Sequence, residues 1–166
     1  MLLLSGVPQS FEKVFLPHFG AAYNLARWLT AADSDAEDLC QDAYLKALAS
    51  FDSYRGGNPK AWLLAIVRNT CFDWLRQRRP AALIPVDDEL PAPDPSPETQ
   101  YLRELDRHAL QSALARLPAE FQEVLILREF EDLSYKEISD IAGVPLGTVM
   151  SRLARARQRL RTELKK

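Results

Sequence analysis

The sequence predicts an all-α protein made of two small helical domains joined by a proline-rich acidic linker, the C-terminal one a four-helix domain with a helix-turn-helix. Three observations predict this. Apolar residues recur at helical spacing through most of the chain outside one segment. That segment, Pro80 to Gln100, holds six prolines, no Lys or Arg, and the acids Asp87, Asp88, Glu89, Asp94 and Glu98. Such a stretch cannot build a core, and its prolines favour an extended, stiff linker. Finally, Leu133 to Arg161 carries the stop and start signals of two helices joined by a tight turn.

That last stretch organises the reading. Ser134 followed by Glu137 is a capping box, so a helix starts there, with Ile138, Ile141 and Ala142 on one face. Gly143 lets the chain turn, and Pro145 suits the first turn of a new helix. On the second helix Val149, Leu153, Ala156 and Leu160 share a packing face, while Thr148, Ser151, Arg152, Arg155 and Arg159 share a polar, cationic one. Seven bases (Arg152, Arg155, Arg157, Arg159, Arg161, Lys165, Lys166) stand against Glu163 alone from Pro145 to Lys166. A helix-turn-helix places the start of its second helix in the major groove. Thr148, Ser151 and Arg152 are placed for base edges; Arg155 and Arg159 lie further along, where phosphate is the nearer target. A solvated charged face is the plainer alternative.

The chain has 166 residues, 47% of them hydrophobic, enough for two small cores. Its net charge is only -2, so nucleic-acid binding has to rest on charge segregation rather than on an overall basic balance. Cys40, Cys71, His18 and His108 show no metal-ligand spacing, so no metal or other cofactor is expected. The opening MLLLSGVP lacks a basic leader and is too short for a signal core. No run approaches membrane-span length. The expectation is a reduced, cytoplasmic protein without membrane insertion.

In chain order, Phe11 to Leu29 carries an apolar stripe (Phe11, Val14, Phe15, Phe19, Ala22, Tyr23, Leu25, Ala26, Leu29) interrupted by Pro17 and Gly20. It predicts a first helix kinked or broken near Pro17. Ser34 and Glu37 read as a second capping box, opening a helix that Leu39, Ala43, Leu45 and Ala47 continue to about Phe51. The first turns of that helix hold Asp35, Glu37, Asp38 and Asp42. These acids suit the helix macrodipole; a paired-carboxylate or metal site and a docking surface for a basic partner are the alternatives.

Phe51 to Lys60 is a loop ending in Asn58-Pro59, an N-cap followed by a first helical residue. The next helix, to about Arg79, buries some combination of Trp62, Leu63, Ile66, Val67, Thr70, Phe72, Trp74 and Leu75. Arg55, Lys60, Arg68, Arg76, Arg78 and Arg79 lie on this stretch against Asp73 alone. Cations interleaved with aromatics suit single-stranded nucleic acid, and Tyr54, on the loop, is better placed to touch a base than the helical tryptophans. After the linker, Glu98 to Arg116 and Pro118 to Phe130 read as two helices contributing Leu102, Leu105, Leu110, Leu114, Phe121, Val124, Leu125 and Leu127.

These segments, in this order, resemble the sigma factors of bacterial RNA polymerase, and specifically their extracytoplasmic-function (ECF) branch. DAEDLCQDAYLKAL, FDSYRGGNPK and WLLAIVRNTCFDWLRQRR are similar to region 2. LPAEFQEVLILREFEDLSYKEISDIAGVPLGTVMSRLARARQRL is similar to region 4, with LP, the S-Y-K-E box, G-V-P-x-G-T-V and S-R-L-x-R-A-R in register. A short linker in place of region 3 separates this branch from larger sigma factors.

The resemblance implies an alternative sigma factor and no enzyme. Residues 1–79 would be region 2, 80–100 the linker and 101–166 region 4. Asp35, Asp38, Gln41 and Asp42 would dock on the β′ clamp helices of core RNA polymerase. Tyr54, Arg55, Asn58, Lys60, Arg68, Asn69 and Arg76 would melt and hold minus-10 promoter DNA. Thr148, Ser151, Arg152, Arg155 and Arg159 would read the minus-35 duplex, while region 4 also grips the β flap. The linker would thread the polymerase cleft toward the RNA exit path. An anti-sigma protein would hold the factor inactive. One position departs from the pattern: Met150 stands where many members carry Lys or Arg.

Replacing Arg152 by Ala is expected to weaken promoter use more than replacing Arg161, because only Arg152 is placed near base edges. Equal losses in a transcription assay would remove the groove assignment.

Overall fold

In a computed structural model the described residues, 9–83 and 107–166, are helices and connecting turns. They fall into two compact units that meet in sequence between Trp74 and Leu75, in the last turns of one helix.

In the N-terminal unit, α1 (Gln9–Phe15) runs into a 3-10 turn at Leu16–His18 and continues as α2 (Phe19–Thr30). The break falls at Pro17, as its missing N–H and its ring require. α2 ends at Ala31, which adopts φ +63 and donates its N–H to the Arg27 carbonyl at 3.0 Å. A left-handed residue closing a helix is usually Gly, so this Ala holds a conformation unfavourable for a side chain.

α3 (Asp33–Ala49) follows after one further residue. Here the expected capping box at Ser34 is not formed: the N-cap is Ala32, with no side-chain cap, and Ser34 lies inside the helix. The tight link from Ala31 starts α3 two residues earlier than a Ser34 cap allows. Asp33 instead accepts from Arg27 Nε at 2.6 Å and from the Tyr23 hydroxyl at 3.2 Å, tying the end of α2 to the start of α3. The Arg27 hydrogen bond holds the Asp33 carboxyl below the usual carboxylate range.

After a 3-10 turn at Phe51–Ser53, α4 (Pro59–Arg78) begins as predicted, with Asn58 Oδ1 accepting the Lys60 N–H at 3.0 Å. Leu63, Leu64, Val67, Cys71, Phe72 and Leu75 of α4 are buried, and Trp62, Ile66 and Trp74 are half-buried. Phe11, Phe15, Ala22, Leu25, Ala26, Leu29, Ala36, Leu39, Ala43 and Ala47 complete the core. Leu45, which with Leu39, Ala43 and Ala47 continues the helix, is 48% exposed. It lies about 120° around the helix from Leu39, and the alanines at 36, 43 and 47 fill that face. Thr70 accepts from Lys46 Nζ at 3.2 Å, a polar link between α3 and α4. The thiols are free; burial pushes Cys40 up to about 11 and Cys71 up to about 12, so both stay protonated near neutrality.

In the C-terminal unit α5 (Arg107–Ala115) is the described part of the helix expected over 98–116; Leu102 and Leu105 lie outside the described residues. α6 (Ala119–Leu125) widens into a π turn at Ile126–Phe130, where the Glu131 N–H reaches back to the Ile126 carbonyl at 3.1 Å. Gln122 is buried on α6 and its amide donates to the carbonyls of Leu114 and Leu117 at 2.7 and 3.2 Å, satisfying the end of α5.

α7 (Tyr135–Ala142) carries the capping box as read: the Glu137 N–H donates to Ser134 Oγ at 3.1 Å, and the Ser134 N–H to Glu137 Oε1 at 3.0 Å. Gly143, at φ +71, closes α7 with its N–H on the Ser139 carbonyl at 2.9 Å. Ser139 Oγ adds a hydrogen bond to the Val144 carbonyl, at 2.5 Å. α8 (Leu146–Leu164) then starts with Pro145 as its N-cap, one residue ahead of the first-turn position expected for it. Val149, Leu153, Ala156 and Leu160 are all buried to within 1% of full.

Substituting Ala31 by Gly removes the left-handed penalty and is expected to raise stability by about 1 kcal/mol after the entropic cost of Gly. Urea unfolding checks it; a loss of stability would show that the Ala31 methyl contributes packing that outweighs its backbone.

Candidate nucleic-acid interface

The predicted minus-10 residues do not form one surface of equivalent side chains. Tyr54 is half-buried in an aromatic cluster. Its ring centre lies 5.2 Å from Phe15 and 5.4 Å from Trp62, and its hydroxyl donates to the Gly57 carbonyl at 3.1 Å. Phe15 sits inside this cluster, with Phe11 at 5.1 Å and Trp62 at 4.9 Å. The loop is therefore anchored by its own tyrosine, and Gly56 and Gly57, at φ +91 and +88, make the reversal that follows.

Asn58 gives its side-chain oxygen to the α4 N-terminus, and Arg55 Nη1 donates to the Asp52 carbonyl at 2.8 Å. Both hold the loop in shape. Along α4, helical spacing puts the exposed Asn69, Asp73 and Arg76 on one outward stripe, about 100° from Arg68. Arg68 lies over the Phe72 ring at 3.9 Å and reaches Asn69 Oδ1 at 3.3 Å. Lys60 falls on the opposite side of the helix from Asn69, near the loop. The structure thus brings together Asn69 and Arg76, and separately the loop with Lys60.

The α3 residues fare more simply. Asp38, Gln41 and Asp42 are exposed, with exposed Leu45 on the same face; Asp35 is half-buried at its margin. An apolar side chain ringed by polar ones is the composition of a protein-docking patch. The sequence alone does not say which side of its helix a leucine occupies.

On α8 the cations divide by task. Arg157 is committed to Glu129, with Nη2 at 2.6 Å and Nε at 3.0 Å from Oε1, and both side chains are largely buried. Lys166 lies 3.0 Å from Glu163, which Arg116 also approaches at 3.8 Å. The seven bases counted from sequence are therefore not one cationic face. Arg159 is exposed, its guanidinium 5.6 Å from the Phe121 ring centre. Thr148, Ser151, Arg152 and Arg155 are half-buried along the helix, and Ser151 Oγ donates to the Gly147 carbonyl at 2.8 Å. Leu146 and Met150 are exposed at the beginning of α8. Among the described residues no cluster of three or more His, Cys, Asp or Glu could hold a metal ion, and no helix is long and apolar enough to cross a membrane.

Comparison with known families matches sigma-70 region 2 to residues 14–80 and sigma-70 region 4 to residues 107–160. The ECF RNA polymerase sigma factor SigM of Mycobacterium tuberculosis is 33% identical over 158 residues, covering 95% of this chain and 78% of SigM. The chain belongs to the ECF branch of the sigma-70 family. It is also similar to the ECF RNA polymerase sigma factor SigE of Mycolicibacterium smegmatis, 39% identical over 160 residues, which cover 95% of the chain but 62% of that relative's length. Among solved structures, the sigma factor RpoE in complex with the anti-sigma factor NepR from Bartonella quintana aligns over 95% of this chain and 98% of its own, at 31% identity and a TM-score of 0.75. The expected family and all-α fold are thereby shown.

Because Arg157 is tied to Glu129, Arg157→Ala is expected to lower stability by about 3 kcal/mol, leaving a largely buried carboxylate without its main partner. Arg159→Ala should leave stability within about 0.5 kcal/mol. Denaturant unfolding of the two variants measures the split; equal losses would contradict the division of cations on α8.

Proposed function

We propose that this chain is an alternative sigma factor: it binds core RNA polymerase and directs promoter-specific initiation, reading a minus-35 duplex and melting and holding minus-10 DNA. One observation carries the reading. A single chain matches both sigma-70 regions and offers a different chemistry on each, an aromatic-rich cationic loop and helix in one and a capped helix-turn-helix in the other. Residues 1–79 serve as region 2, 80–100 as linker and 101–166 as region 4. Promoter melting leaves unstacked bases that cost a few kcal/mol each, and pockets in the complex offset this. No bond is made or broken by the chain, which works in the cytoplasm beside its polymerase.

Within region 2, Asp38, Gln41, Asp42 and Leu45, with Asp35 at the edge, face the β′ clamp helices. Arg55, Lys60, Asn69 and Arg76 bear on the minus-10 strand; Tyr54 and Asn58 act mainly by holding the loop, and Arg68 flanks it. In region 4, Thr148, Ser151, Arg152, Arg155 and Arg159 face the minus-35 duplex, and the β flap is the second partner of this unit. The related RpoE was solved with an anti-sigma factor, which supports control of this chain by a cognate protein of that kind.

Run-off transcription from genomic fragments, using core RNA polymerase with and without the chain, tests the reading. Discrete transcripts are expected only when the chain is added. Charge reversal at Asp38 and Asp42 together should reduce affinity for core enzyme roughly tenfold or more. If core enzyme does not bind the wild-type chain, a stand-alone DNA-binding regulator becomes the better account.

A further inference from the structure

The π turn that follows α6 holds both helices of the helix-turn-helix. Such widened turns, which take one residue more per hydrogen-bonded turn than an α-helix, are rare and concentrate at functional places. Within Ile126–Phe130, Arg128 Nη1 donates to the Leu133 carbonyl at 2.8 Å, and the Arg128 guanidinium lies 4.6 Å from the ring centre of Tyr135, the first residue of α7. Its neighbour Glu129 accepts from Nη2 and Nε of Arg157, on α8, at 2.6 and 3.0 Å through one oxygen. One residue of the turn therefore ties α7 and the next ties α8. Both contacts are charge-assisted and part-buried, which makes them stronger than neutral or fully exposed ones.

The short link between the turn and α7 is fixed from the same place. Leu133 is buried, its N–H donates to the Leu127 carbonyl at 3.1 Å, and its own carbonyl accepts from Arg128. Asp132, just before it, adopts φ +54, a left-handed conformation that surrounding contacts must hold in place. Burial of the α8 stripe sets the rotation of that helix, but packed helices still vary by about 15–20° in crossing angle. Thr148 lies nine residues, about 13 Å, along α8 from Arg157. A tilt of about 15° at Arg157 moves Thr148 by roughly 3 Å, more than hydrogen-bond geometry tolerates.

We propose that Arg128 and Glu129 are positioning residues for DNA reading: they fix the angle at which α7 and α8 reach the duplex, and touch no DNA themselves. The inference rests on the sigma-factor reading and adds which side chains set its geometry. Arg128 acts through Leu133 and Tyr135, and Glu129 through Arg157.

The test titrates holoenzyme with promoter fragments taken from run-off start sites, carrying either the native or a scrambled upstream element. It is run over a range of salt, under conditions where urea unfolding shows each variant to be fully folded. Arg128→Met removes the donor and the charge over Tyr135, and is expected to lower the preference for the native element roughly fivefold or more, the worth of one misread base pair. Core-polymerase affinity and salt dependence should stay as in wild type. Glu129→Gln, which weakens the hold on Arg157, should act in the same direction. Where Arg128→Met does not fold, Arg128→Lys, which keeps the charge and loses the planar group over Tyr135, is read in the same way. Folded variants that keep the full preference would make both residues structural only and overturn the inference. A salt dependence shallower by about one phosphate contact, with the preference retained, would place Arg128 on DNA and overturn it too. So would a loss confined to core-polymerase affinity, which places the turn against protein. A wild-type holoenzyme indifferent to the upstream element would instead remove the sigma-factor reading on which the inference rests.

Discussion

The outward chemistry of the C-terminal unit depends on the burial of four side chains of α8. Val149, Leu153, Ala156 and Leu160 are removed from water almost completely. Each of the larger ones contributes about 1.5–3 kcal/mol. Turning α8 by a single residue, about 100°, would bring this face out and put arginines into the core. Surface ion pairs contribute about 0–1 kcal/mol each, too little to compete. The apolar stripe therefore fixes the rotation of the helix, and with it which residues face outward.

The turn ahead of α8 does the complementary work of fixing its direction. Gly143 supplies the left-handed conformation, Ser139 bonds the carbonyl of Val144, and the capping box holds the other end of α7. Arg128 reinforces the same corner, donating to the Leu133 carbonyl at 2.8 Å and lying over Tyr135 at 4.6 Å. A helix delivered in a fixed direction and at a fixed rotation is what base reading requires, since hydrogen-bond patterns are distinguished over distances of an ångström or so.

Region 2 solves a related problem with aromatic packing. Its loop is polar and glycine-bearing, the composition of a segment with little core of its own, yet Tyr54 joins the rings of Phe15, Phe51 and Trp62. These contacts, edge-to-face with Phe15 and Trp62 and stacked with Phe51, are worth about 0.5–1.5 kcal/mol each beyond their burial. They hold the loop that carries Arg55 and ends at Lys60. This unit carries two distinct chemistries, cations on the loop and α4 and acids with the exposed Leu45 on α3. With a net charge of only -2, the chain as a whole has little sequence-independent attraction for DNA, so placement rather than total charge governs binding.

Local signals in the sequence determined the helix boundaries around the motif, the broken first helix, the Asn58-Pro59 start of α4 and the burial of the α8 stripe. Each follows from a covalent or near-neighbour constraint: a missing N–H, a left-handed glycine, a side chain reaching three residues along. The family was legible for the same reason, since its motifs are runs of such signals in register. Tertiary structure decided what spacing leaves open. Ala31 took a conformation that glycine usually supplies, which moved the start of α3 and left Ser34 without a capping role. Leu45 turned outward because three alanines filled the packing face. Arg157 went to Glu129, and Tyr54 went into the aromatic cluster, because a side chain's partner is set by which distant element arrives beside it. A cation count or a helical wheel contains no such partner; only the packed chain supplies one.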